Sequence, residues 1–401
     1  MNVLINAYAI SPTWGSEPGM GWNWVSNLAR YCKLYIITEG EWKGAIEKAL
    51  AGHPYKENLN FYYLPVPEEV RVMCWNQGDW RFYWYYHKWQ KRALAQAKEI
   101  LASVEIDVIH QLNMIGYREP GLLWKISGYK FIWGPIGGME TMPISYIKGS
   151  GCKTILFNCL KNLINSLQYR FSPNVRQAVK KAEIVIAATK GCQEKLEKYY
   201  HRKVYLMNET GCDVLDTINK SSFLSKKMSI LWVGKFDFRK QLDLAIKVIH
   251  ELKDLNVQLR VVGSGDQSRY QDLAKKLSID DKVIFLGKVD HDKINHLMQE
   301  SDVFLFTSIM EATSTVVMEA LQNHLPVVCF DTCGFGTVVD ESVGVKVSLS
   351  NPNNSVSDFA KVIRGLYFDR ARLCLLSENC EDKVKQFDWK FKAQSLVELY
   401  S

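Results

Sequence analysis

No apolar stretch of this 401-residue sequence approaches the roughly 18 uninterrupted residues that a membrane-spanning helix needs. The N-terminal segment MNVLINAYAISPTW lacks the basic start and the long apolar run of a secretory signal. Low-complexity tracts are also missing. We therefore expect a globular protein without a transmembrane helix, located in the cytoplasm or at the inner face of the plasma membrane.

The ten cysteines include no C-x-x-C pair, and their spacing follows no metal-ligand pattern. We interpret them as reduced, mostly buried thiols, because disulfides persist mainly outside the cytoplasm. The cysteines therefore predict neither a disulfide framework nor a cysteine-bound metal, and we expect no cofactor.

Acidic residues are scarce in the first half of the chain. Residues 1–205 carry 26 Lys and Arg against 16 Asp and Glu, whereas residues 206–401 carry 24 against 27. The stretch from Lys148 to Lys181 contains no acidic residue. Such an uneven distribution indicates two domains with different partners. A basic surface attracts nucleic acid, anionic lipid or a phosphorylated substrate, and charge alone does not distinguish them.

Short apolar runs alternate with helical patterns along the whole chain, and the series restarts near residue 205 with MSILWVGKFD, VQLRVVGSGD, KVIFLG and DVFLFT. Strands that alternate with helices form parallel sheets. We predict an α/β protein with two doubly wound, Rossmann-like domains, 1–205 and 206–384, that face each other across a cleft. A C-terminal helix within 385–401 is expected to pack back toward the N-terminal domain.

The stretch SIMEATSTVVMEAL carries two glutamates eight positions apart, between two apolar strand-like runs. Glu311 lies in the loop after the first run, and Glu319 lies about one turn inside a helix that we expect to begin at Ser314 or Thr315. The free N–H groups at such a helix start attract anions. Carboxylates suit sugar hydroxyls, so Glu319 would hold a ribose diol and Glu311 would lie beside a hexose. A solvated helix glutamate and an ordinary loop charge remain open alternatives.

Two lysines follow the predicted strand MSILWVG. Lys235 and Lys240 lie before the next predicted helix, where two cations can neutralise a diphosphate. Either one alone is more simply a surface lysine. The glycine turns VVGSGD, with Gly263, and LGKVD, with Val289, are weak signals because such turns end many strands. VVGSGD also lacks the third glycine of a dinucleotide fingerprint.

In combination these motifs resemble the family-4 retaining glycosyltransferases. The family signature is a glutamate, seven residues, Glu-Ala and then a Pro-Val-Val strand, which matches Glu311, Glu319 and the stretch 326–328. The upstream pattern of Val-Gly, a basic residue and a later lysine matches Lys235 and Lys240. The other matches are glycine turns and a closing aromatic residue, at Gly234, Gly263, Gly265, Gly287 and Trp389.

The first half resembles one branch of that family through GSEPGMGWNW, DVIHQLN and WGPIGG. The resemblance implies that Gly19 and Gly21 let a loop approach the donor phosphate. It also implies that His110 lies near the transferred sugar and that Asn113 contacts substrate. Without the resemblance, His110 reads as a hydrogen-bonded histidine at a strand end.

Three departures from the family pattern concern the donor site. Ala312 and Thr313 stand where Gly-Phe is usual, which makes that loop less flexible. Lys235 replaces an arginine and loses its bidentate fork. Gln241 replaces the glycine that usually follows the lysine. These departures put the identity of the donor sugar in doubt more than the activity.

The resemblance implies a GT-B enzyme of bacterial surface-polysaccharide synthesis. It would move a hexose from a nucleotide diphosphate sugar to a glycan or lipid-linked sugar acceptor, with retention of configuration and without a metal. The implied catalytic residues are Glu311, His110, Lys240 and Lys235. The implied substrate-binding residues are Gly19, Gly21, Asn113, Gly234, Gly263, Val289, Ser314, Thr315 and Glu319. Two alternatives stay open: a non-catalytic GT-B partner subunit that binds a nucleotide sugar, and a sugar-nucleotide epimerase.

Two stretches of the first domain suit an acceptor at a membrane. Residues 71–92 mix bases with aromatic residues, seven of them between Trp80 and Trp89, and residues 148–181 are basic and amphipathic. Such segments are typical of membrane surfaces, so we predict peripheral association with anionic lipid. Aromatic core residues and a solvated lysine face remain the alternative. We expect no nucleic-acid partner, because no RNA-binding module is recognisable.

Overall fold

The computed structural model describes residues 1–76, 79–114, 116–214 and 226–401. It contains two compact units. The first unit comprises Met1–Met139, Ile164–Gly211 and Trp389–Ser401. The second unit comprises Glu140–Leu163 and Cys212–Asp388.

The two units differ from the predicted domain limits in one long segment and in a few residues at two boundaries, since the first unit extends to Gly211 and the second to Asp388. Residues Glu140–Leu163 belong to the second unit, although they precede the predicted boundary at residue 205 by many residues. The final segment belongs to the first unit from Trp389 onward. The substrate roles that we gave the two domains stay predictions.

The first unit is built on a seven-stranded sheet with the order β3-β2-β1-β4-β5-β6-β7, parallel throughout. Between β1 and β4 the strand order reverses, which is the place where ligands bind in such sheets. The central strands β1 and β4 are almost entirely buried, although β4 carries His110, Gln111 and Asn113 among its apolar residues. The strands are β1 (Asn2–Ala7), β2 (Lys33–Thr38), β3 (Leu59–Tyr63), β4 (Val108–Asn113), β5 (Lys130–Ile136), β6 (Ile184–Ala187) and β7 (Tyr205–Leu206).

Helices accompany this sheet in sequence, and one of them, α5 (Cys152–Phe171), begins in the segment that belongs to the second unit. The sequence from Gly78 to Ile100 has a helical pattern and is crowded with aromatic residues; it forms α4 from Arg81 onward, and Gly78 lies outside the described residues. The helices are α1 (Ser16–Leu28), α2 (Lys43–Ala51), α3 (Glu68–Trp75), α4 (Arg81–Ser103), α5 (Cys152–Phe171), α6 (Pro173–Lys181), α7 (Lys190–Tyr200) and α15 (Trp389–Tyr400). Short 3₁₀ turns lie at Lys56–Asn58, Leu123–Lys125 and Ile144–Ser150.

The C-terminal helix α15 is part of the first unit's core. The Trp389 ring packs edge-on against Trp24, with 5.5 Å between ring centroids. The Trp24 indole N–H donates to the Glu209 carbonyl over 2.9 Å. The Lys392 ammonium lies 5.1 Å over the Trp24 ring and donates to the Asn208 carbonyl over 2.7 Å. The last helix is thus held by both packing and buried hydrogen bonds.

The second unit is built on a six-stranded sheet with the order β10-β9-β8-β11-β12-β13, again parallel. Its strand order reverses between β8 and β11. The strands are β8 (Met228–Val233), β9 (Val257–Val262), β10 (Val283–Gly287), β11 (Val303–Phe306), β12 (Val327–Phe330) and β13 (Gly344–Val347). The helices are α8 (Leu242–Glu251), α9 (Ser268–Lys276), α10 (His291–Gln299), α11 (Thr315–Gln322), α12 (Cys333–Val338), α13 (Pro352–Phe368) and α14 (Arg370–Lys385).

The α/β class and the two doubly wound parallel sheets are therefore confirmed. In the described parts of the chain, no helix is long and apolar enough to cross a bilayer.

Replacing Trp389 with Ala should destabilise the first unit by about 3 kcal/mol, because it removes a large buried ring and the edge-on contact of that ring with Trp24. The matched control is Phe391→Ala on the same helix, since Phe391 is 53% exposed whereas Trp389 is 3% exposed. Urea unfolding followed by tryptophan fluorescence measures both variants. Equal midpoints for the two variants would contradict the packing role.

Candidate functional site

The strongest candidate site of the second unit lies where its strand order reverses. Lys235 and Lys240 lie in the loop after β8, and Glu311 lies in the loop after the neighbouring strand β11. Helix α11 begins at Thr315 with Ser314 in the N-cap position, so the predicted helix start is confirmed. Because the carboxyl ends of β8 and β11 adjoin, these loops flank the crevice in which doubly wound sheets bind ligands.

An ion pair joins the two loops. The Lys240 ammonium contacts Glu311 Oε1, and both side chains are largely buried. The Ser308 hydroxyl donates to the same oxygen over 2.9 Å. The Glu311 backbone N–H donates to Cys333 Sγ over 3.4 Å. The structure thus brings together two of the predicted catalytic residues. Our sequence reasoning missed Ser308, although its place at a strand end, three residues before Glu311, was a usable signal.

Three further hydrogen bonds hold the two loops in position. The Thr307 hydroxyl donates to the Lys240 carbonyl over 2.7 Å, and it accepts from the Trp232 indole N–H over 3.0 Å. The Ile309 N–H donates to the Arg239 carbonyl over 2.9 Å. These bonds fix the backbone on both sides of the ion pair, so its geometry is set by the sheet beneath.

Gln241 explains why glycine is usual after the second lysine. Its φ of 51° lies in the left-handed region, which glycine adopts without steric cost. The Gln241 side chain donates to the Phe238 carbonyl over 2.6 Å, which compensates part of that cost. The replacement therefore keeps the loop conformation that a glycine would give.

Gly234 and Gly263 lie where two neighbouring loops touch. A Cβ on Gly263 would lie 1.8 Å from the Gly234 carbonyl oxygen, so no other residue fits there. Packing between the loops after β8 and β9 thus accounts for this glycine. The donor-binding role that we gave both residues stays a prediction.

Glu319, Val289 and Lys235 lie around the same edge of the sheet. Glu319 is in the second turn of α11, and burial raises the pKa of its carboxyl group, an effect that the nearby His291 opposes. His291 Nε2 lies 3.6 Å from the Glu319 carboxylate. Val289 is half-buried in the loop between β10 and α10, and Lys235 is exposed. A carboxylate, two lysines and a helix start therefore lie at one edge.

His110 does not lie at an open surface. Its side chain is fully buried, with Nε2 2.8 Å from the Gly134 carbonyl oxygen and Nδ1 2.6 Å from the Tyr400 hydroxyl. Burial lowers the pKa of His110 to about 4, although the bond to Gly134 favours the charged form. These contacts match the alternative reading of a hydrogen-bonded strand histidine. We leave His110 out of the proposal below, and its catalytic role stays a prediction.

Gly19 and Gly21, which we expected in a loop near the donor phosphate, lie inside α1, because the helix already begins at Ser16. A Cβ on Gly19 would lie 2.3 Å from the Trp14 carbonyl oxygen, and one on Gly21 would lie 2.6 Å from the Ala9 carbonyl oxygen. Both glycines therefore let the helix pack against its own preceding loop. An approach to a phosphate stays a prediction for both.

Asn113 lies at the end of β4, at the strand-order reversal of the first unit. Its side-chain N–H donates to the Ala9 carbonyl over 2.8 Å. Its Oδ1 is buried and has no hydrogen-bond partner among the described residues. Within the same described ranges, no three His, Cys, Asp or Glu side chains lie close enough to hold a metal ion.

Comparison with known proteins identifies the second half of the chain. Residues 215–386 match the family described as "Glycosyl transferases group 1". An uncharacterized glycosyltransferase of Methanocaldococcus jannaschii is 28% identical over 174 residues, which are 43% of this chain and 44% of that protein. The matched stretch spans less than half the length of the curated relatives.

Solved structures match over the whole chain. The lipopolysaccharide outer core galactosyltransferase WaaB, in its apo form, superposes with a TM-score of 0.64 at 12% identity, covering 99% of this chain and 98% of that one. Anabaena HepE in complex with UDP gives 0.61 at 15% identity, covering 100% and 99%. At such low identity these matches speak to the fold alone. Residues 215–386 therefore belong to the glycosyl transferases group 1 family, and the whole chain has the GT-B fold.

Proposed function

We propose that the protein transfers a hexose from a nucleotide diphosphate sugar to a glycan or lipid-linked sugar acceptor, with retention of anomeric configuration, in the synthesis of a surface polysaccharide. The observation that carries the proposal is the Lys240–Glu311 ion pair at the strand-order reversal of the second unit. A cation, a carboxylate and the start of α11 meet there. These groups suit a diphosphate and the hydroxyls of a sugar.

In the proposed reaction, the bond between the anomeric carbon and the diphosphate oxygen breaks, and a bond to the acceptor oxygen forms. The acceptor's proton passes to the leaving diphosphate. Lys235, Lys240 and the N–H groups at the start of α11 stabilise the charge that develops on that leaving group. Glu311 orients Lys240 and accepts a hydrogen bond from a hydroxyl group of the hexose. Glu319 accepts hydrogen bonds from the ribose hydroxyl groups.

Donor binding must compete with the ion pair. Before the donor arrives, Glu311 neutralises Lys240, and the burial of both side chains makes a lone charge there costly. A diphosphate offers a stronger anionic partner, with about 1.5–3 kcal/mol for each charge-assisted contact. Lys240 can therefore turn toward the diphosphate while Ser308 continues to hold the Glu311 carboxylate.

The names of similar proteins suggest the first donors and pathways to test. Anabaena HepE has been solved with UDP-glucose. One solved structure is a lipopolysaccharide outer core galactosyltransferase. A curated relative, 28% identical over 163 residues, is protein CapJ of Staphylococcus aureus. We therefore place UDP-hexoses first among the candidate donors.

Glu311→Ala and Lys240→Ala should each lower kcat by about 10²–10³-fold, because each leaves the leaving diphosphate or the hexose without a positioned partner. A thermal-shift screen with UDP, GDP, ADP and CMP and with their common sugar conjugates selects the donor. Release of the nucleotide with a panel of glycan and lipid-linked acceptors then measures turnover.

The control for this experiment is Lys383→Ala, which removes another buried lysine of the same unit, with its ammonium 2.6 Å from the half-exposed Asp340 carboxylate. Near-normal turnover in both site variants would refute the assignment. Nucleotide-sugar binding without turnover on any acceptor would favour a partner subunit, and conversion of the donor sugar itself would favour an epimerase.

The raised pKa of Glu319 predicts an unusual pH dependence of donor binding. A carboxyl group whose pKa is raised by burial takes up a proton at a higher pH than an ordinary glutamate does. The protonated form is a weaker acceptor of hydrogen bonds from the ribose hydroxyl groups. Donor affinity should therefore fall as the pH is lowered, and the fall should begin at a higher pH than for an ordinary glutamate. In Glu319→Gln the affinity should be lower at every pH and its decline flatter. Isothermal titration at a series of pH values checks the prediction, and an unchanged decline in Glu319→Gln would assign the decline to another group.

The second part of the proposal is that helix α5 binds an anionic membrane. Its buried side is polar, with Asn158, Asn165 and Tyr169. Its exposed side carries the apolar residues Leu156, Phe157, Leu160, Leu163, Ile164, Leu167 and Phe171. Globular helices bury their apolar face, so this reversal needs an apolar environment outside the protein.

Charge selects lipid as the partner of α5. The exposed bases of α5 and α6 are Lys153, Lys161, Arg170, Arg176, Lys180 and Lys181. No acidic residue occurs from Lys148 to Lys181. Next to the end of α5 lies an open depression of about 1290 Å³, which Arg170, Arg176 and Lys180 line together with Arg202 and Lys203. Apolar area and basic charge together are the two terms that hold amphipathic helices on anionic bilayers.

Replacing Leu160 and Leu167 with Asp should weaken binding to phosphatidylglycerol vesicles by at least about tenfold, because two exposed apolar anchors become charged. The matched control is Phe368→Asp in α13, an exposed apolar residue outside the basic stretch. Vesicle co-sedimentation at low salt measures the three proteins. Absence of binding by the unchanged protein, or equal binding by all three, would contradict the membrane role.

A further inference from the structure

Three tryptophans that are far apart in the sequence meet at one edge of the first unit's sheet. Trp14 lies in the loop after β1, Trp42 lies in the loop after β2, and Trp75 ends α3, which follows β3. Since β3, β2 and β1 are neighbours, their carboxyl ends bring these side chains together. The ring centroids are 6.1 Å apart for Trp14 and Trp42, 5.4 Å for Trp42 and Trp75, and 6.3 Å for Trp14 and Trp75.

The cluster is not part of the core. Trp14 is 53% exposed and Trp75 is 42% exposed, while Trp42 is half-buried. Large aromatic rings that stay in water as a group mark binding surfaces more often than isolated exposed residues do. The cluster also adjoins the strand-order reversal between β1 and β4, where such sheets bind ligands.

A carboxylate accompanies the rings. The Trp75 indole N–H donates to both oxygens of Glu41, over 3.1 and 3.0 Å. Burial raises the pKa of Glu41, a shift that the bond from Trp75 opposes. Neighbouring Glu39 is buried and is engaged by Arg71 over 2.8 Å. Glu41 thus has an orientation fixed by Trp75 and keeps acceptor capacity for further hydroxyls.

The charge around the cluster disfavours an anionic partner. Glu41 belongs to the cluster, and the first turn of α3 adds Glu68 and Glu69. A phosphate or an anionic lipid would meet like charge here, in contrast to the basic face of α5. A neutral sugar fits both features, because its C–H groups meet the electron-rich ring faces while its hydroxyls donate to a carboxylate.

The loops that carry the cluster are tightly packed. A Cβ on Gly19 would collide with the Trp14 carbonyl oxygen, so α1 lies directly against that loop. Gly40, next to Glu41, has a φ of +89° and lies against the Tyr63 ring. The rings are therefore held in place before a ligand binds, which lowers the entropy cost of binding.

We propose that Trp14, Trp42, Trp75 and Glu41 form a subsite for a neutral sugar residue of the acceptor glycan. The inference rests on the proposed transferase function, since that function calls for an acceptor. It adds the chemical class of the acceptor residue and the side chains that bind it. In this subsite the rings stack on the sugar and Glu41 accepts its hydroxyls.

The test measures binding of the methyl glycosides of glucose, galactose, mannose and N-acetylglucosamine by saturation-transfer NMR. Methyl glucuronide serves as the charged counterpart. The affinity for the neutral glycoside that binds should fall by about tenfold in each of the variants Trp14→Ala, Trp75→Ala and Glu41→Gln. Tyr31→Ala is the control, because Tyr31 is a 40% exposed aromatic residue of the first unit that lies outside both the cluster and the predicted acceptor stretch. The thermal shift by the selected nucleotide, measured on the same proteins, should be unchanged in all variants.

The outcomes separate this subsite from the proposed function. If the nucleotide shifts the melting temperature but no neutral glycoside binds, or if the cluster variants bind as the unchanged protein does, the subsite is refuted and the function stands. The subsite is also refuted if the protein prefers methyl glucuronide to the neutral glycosides. The same holds if the cluster variants lose binding to vesicles but keep binding to the glycoside. If no nucleotide binds while the glycoside is lost in the cluster variants alone, the subsite stands and the transferase proposal fails.

Discussion

The ion pair between Lys240 and Glu311 is the interaction on which the candidate site of the second unit depends. It joins the loops that leave β8 and β11 on either side of the strand-order reversal. Two largely buried charges are costly to desolvate, and removing either one typically costs about 3–5 kcal/mol. Ser308, Thr307 and Trp232 therefore hold the surrounding backbone in the geometry that keeps the pair closed. Lys240 and Glu311 thus stabilise these loops, and they are also the side chains that a diphosphate and a hexose would contact.

Much of the second unit could be predicted from the sequence. Its regular alternation of apolar runs and helical patterns gives six strands in chain order, and Ser314 marks the start of α11 because its neighbours change from a strand pattern to a helical one. Other features of this unit are not local. The spacing of Glu311 from Lys240 says nothing of their pairing, which arises only because β8 and β11 are neighbours. The place of Glu140–Leu163 in this unit is equally invisible to a division made along the chain.

The first unit shows more clearly where local patterns stop being informative. GSEPGMG reads as a glycine loop, yet Gly19 and Gly21 lie in a helix. Glycine is needed at both positions because a side chain there would collide with the preceding loop. His110 follows a strand pattern that cannot show whether its ring faces the core. Trp14, Trp42 and Trp75 are separated by about thirty residues each, and only the order of three strands unites them. Composition did identify α5 as basic and amphipathic, but not that its polar side is the buried one.

That buried polar side of α5 has a consequence for how the helix would meet a bilayer. Asn162 exchanges two hydrogen bonds with the backbone of Met142, over 3.0 and 2.9 Å. The Asn165 carbonyl accepts from the Tyr117 hydroxyl over 3.1 Å. Free amphipathic peptides often become helical only on the lipid, and they lose chain entropy as they do so. Here the protein itself has already ordered the helix through these amide contacts. Adsorption and release would then leave the secondary structure unchanged, so circular dichroism would be nearly silent while the protein moves between water and lipid.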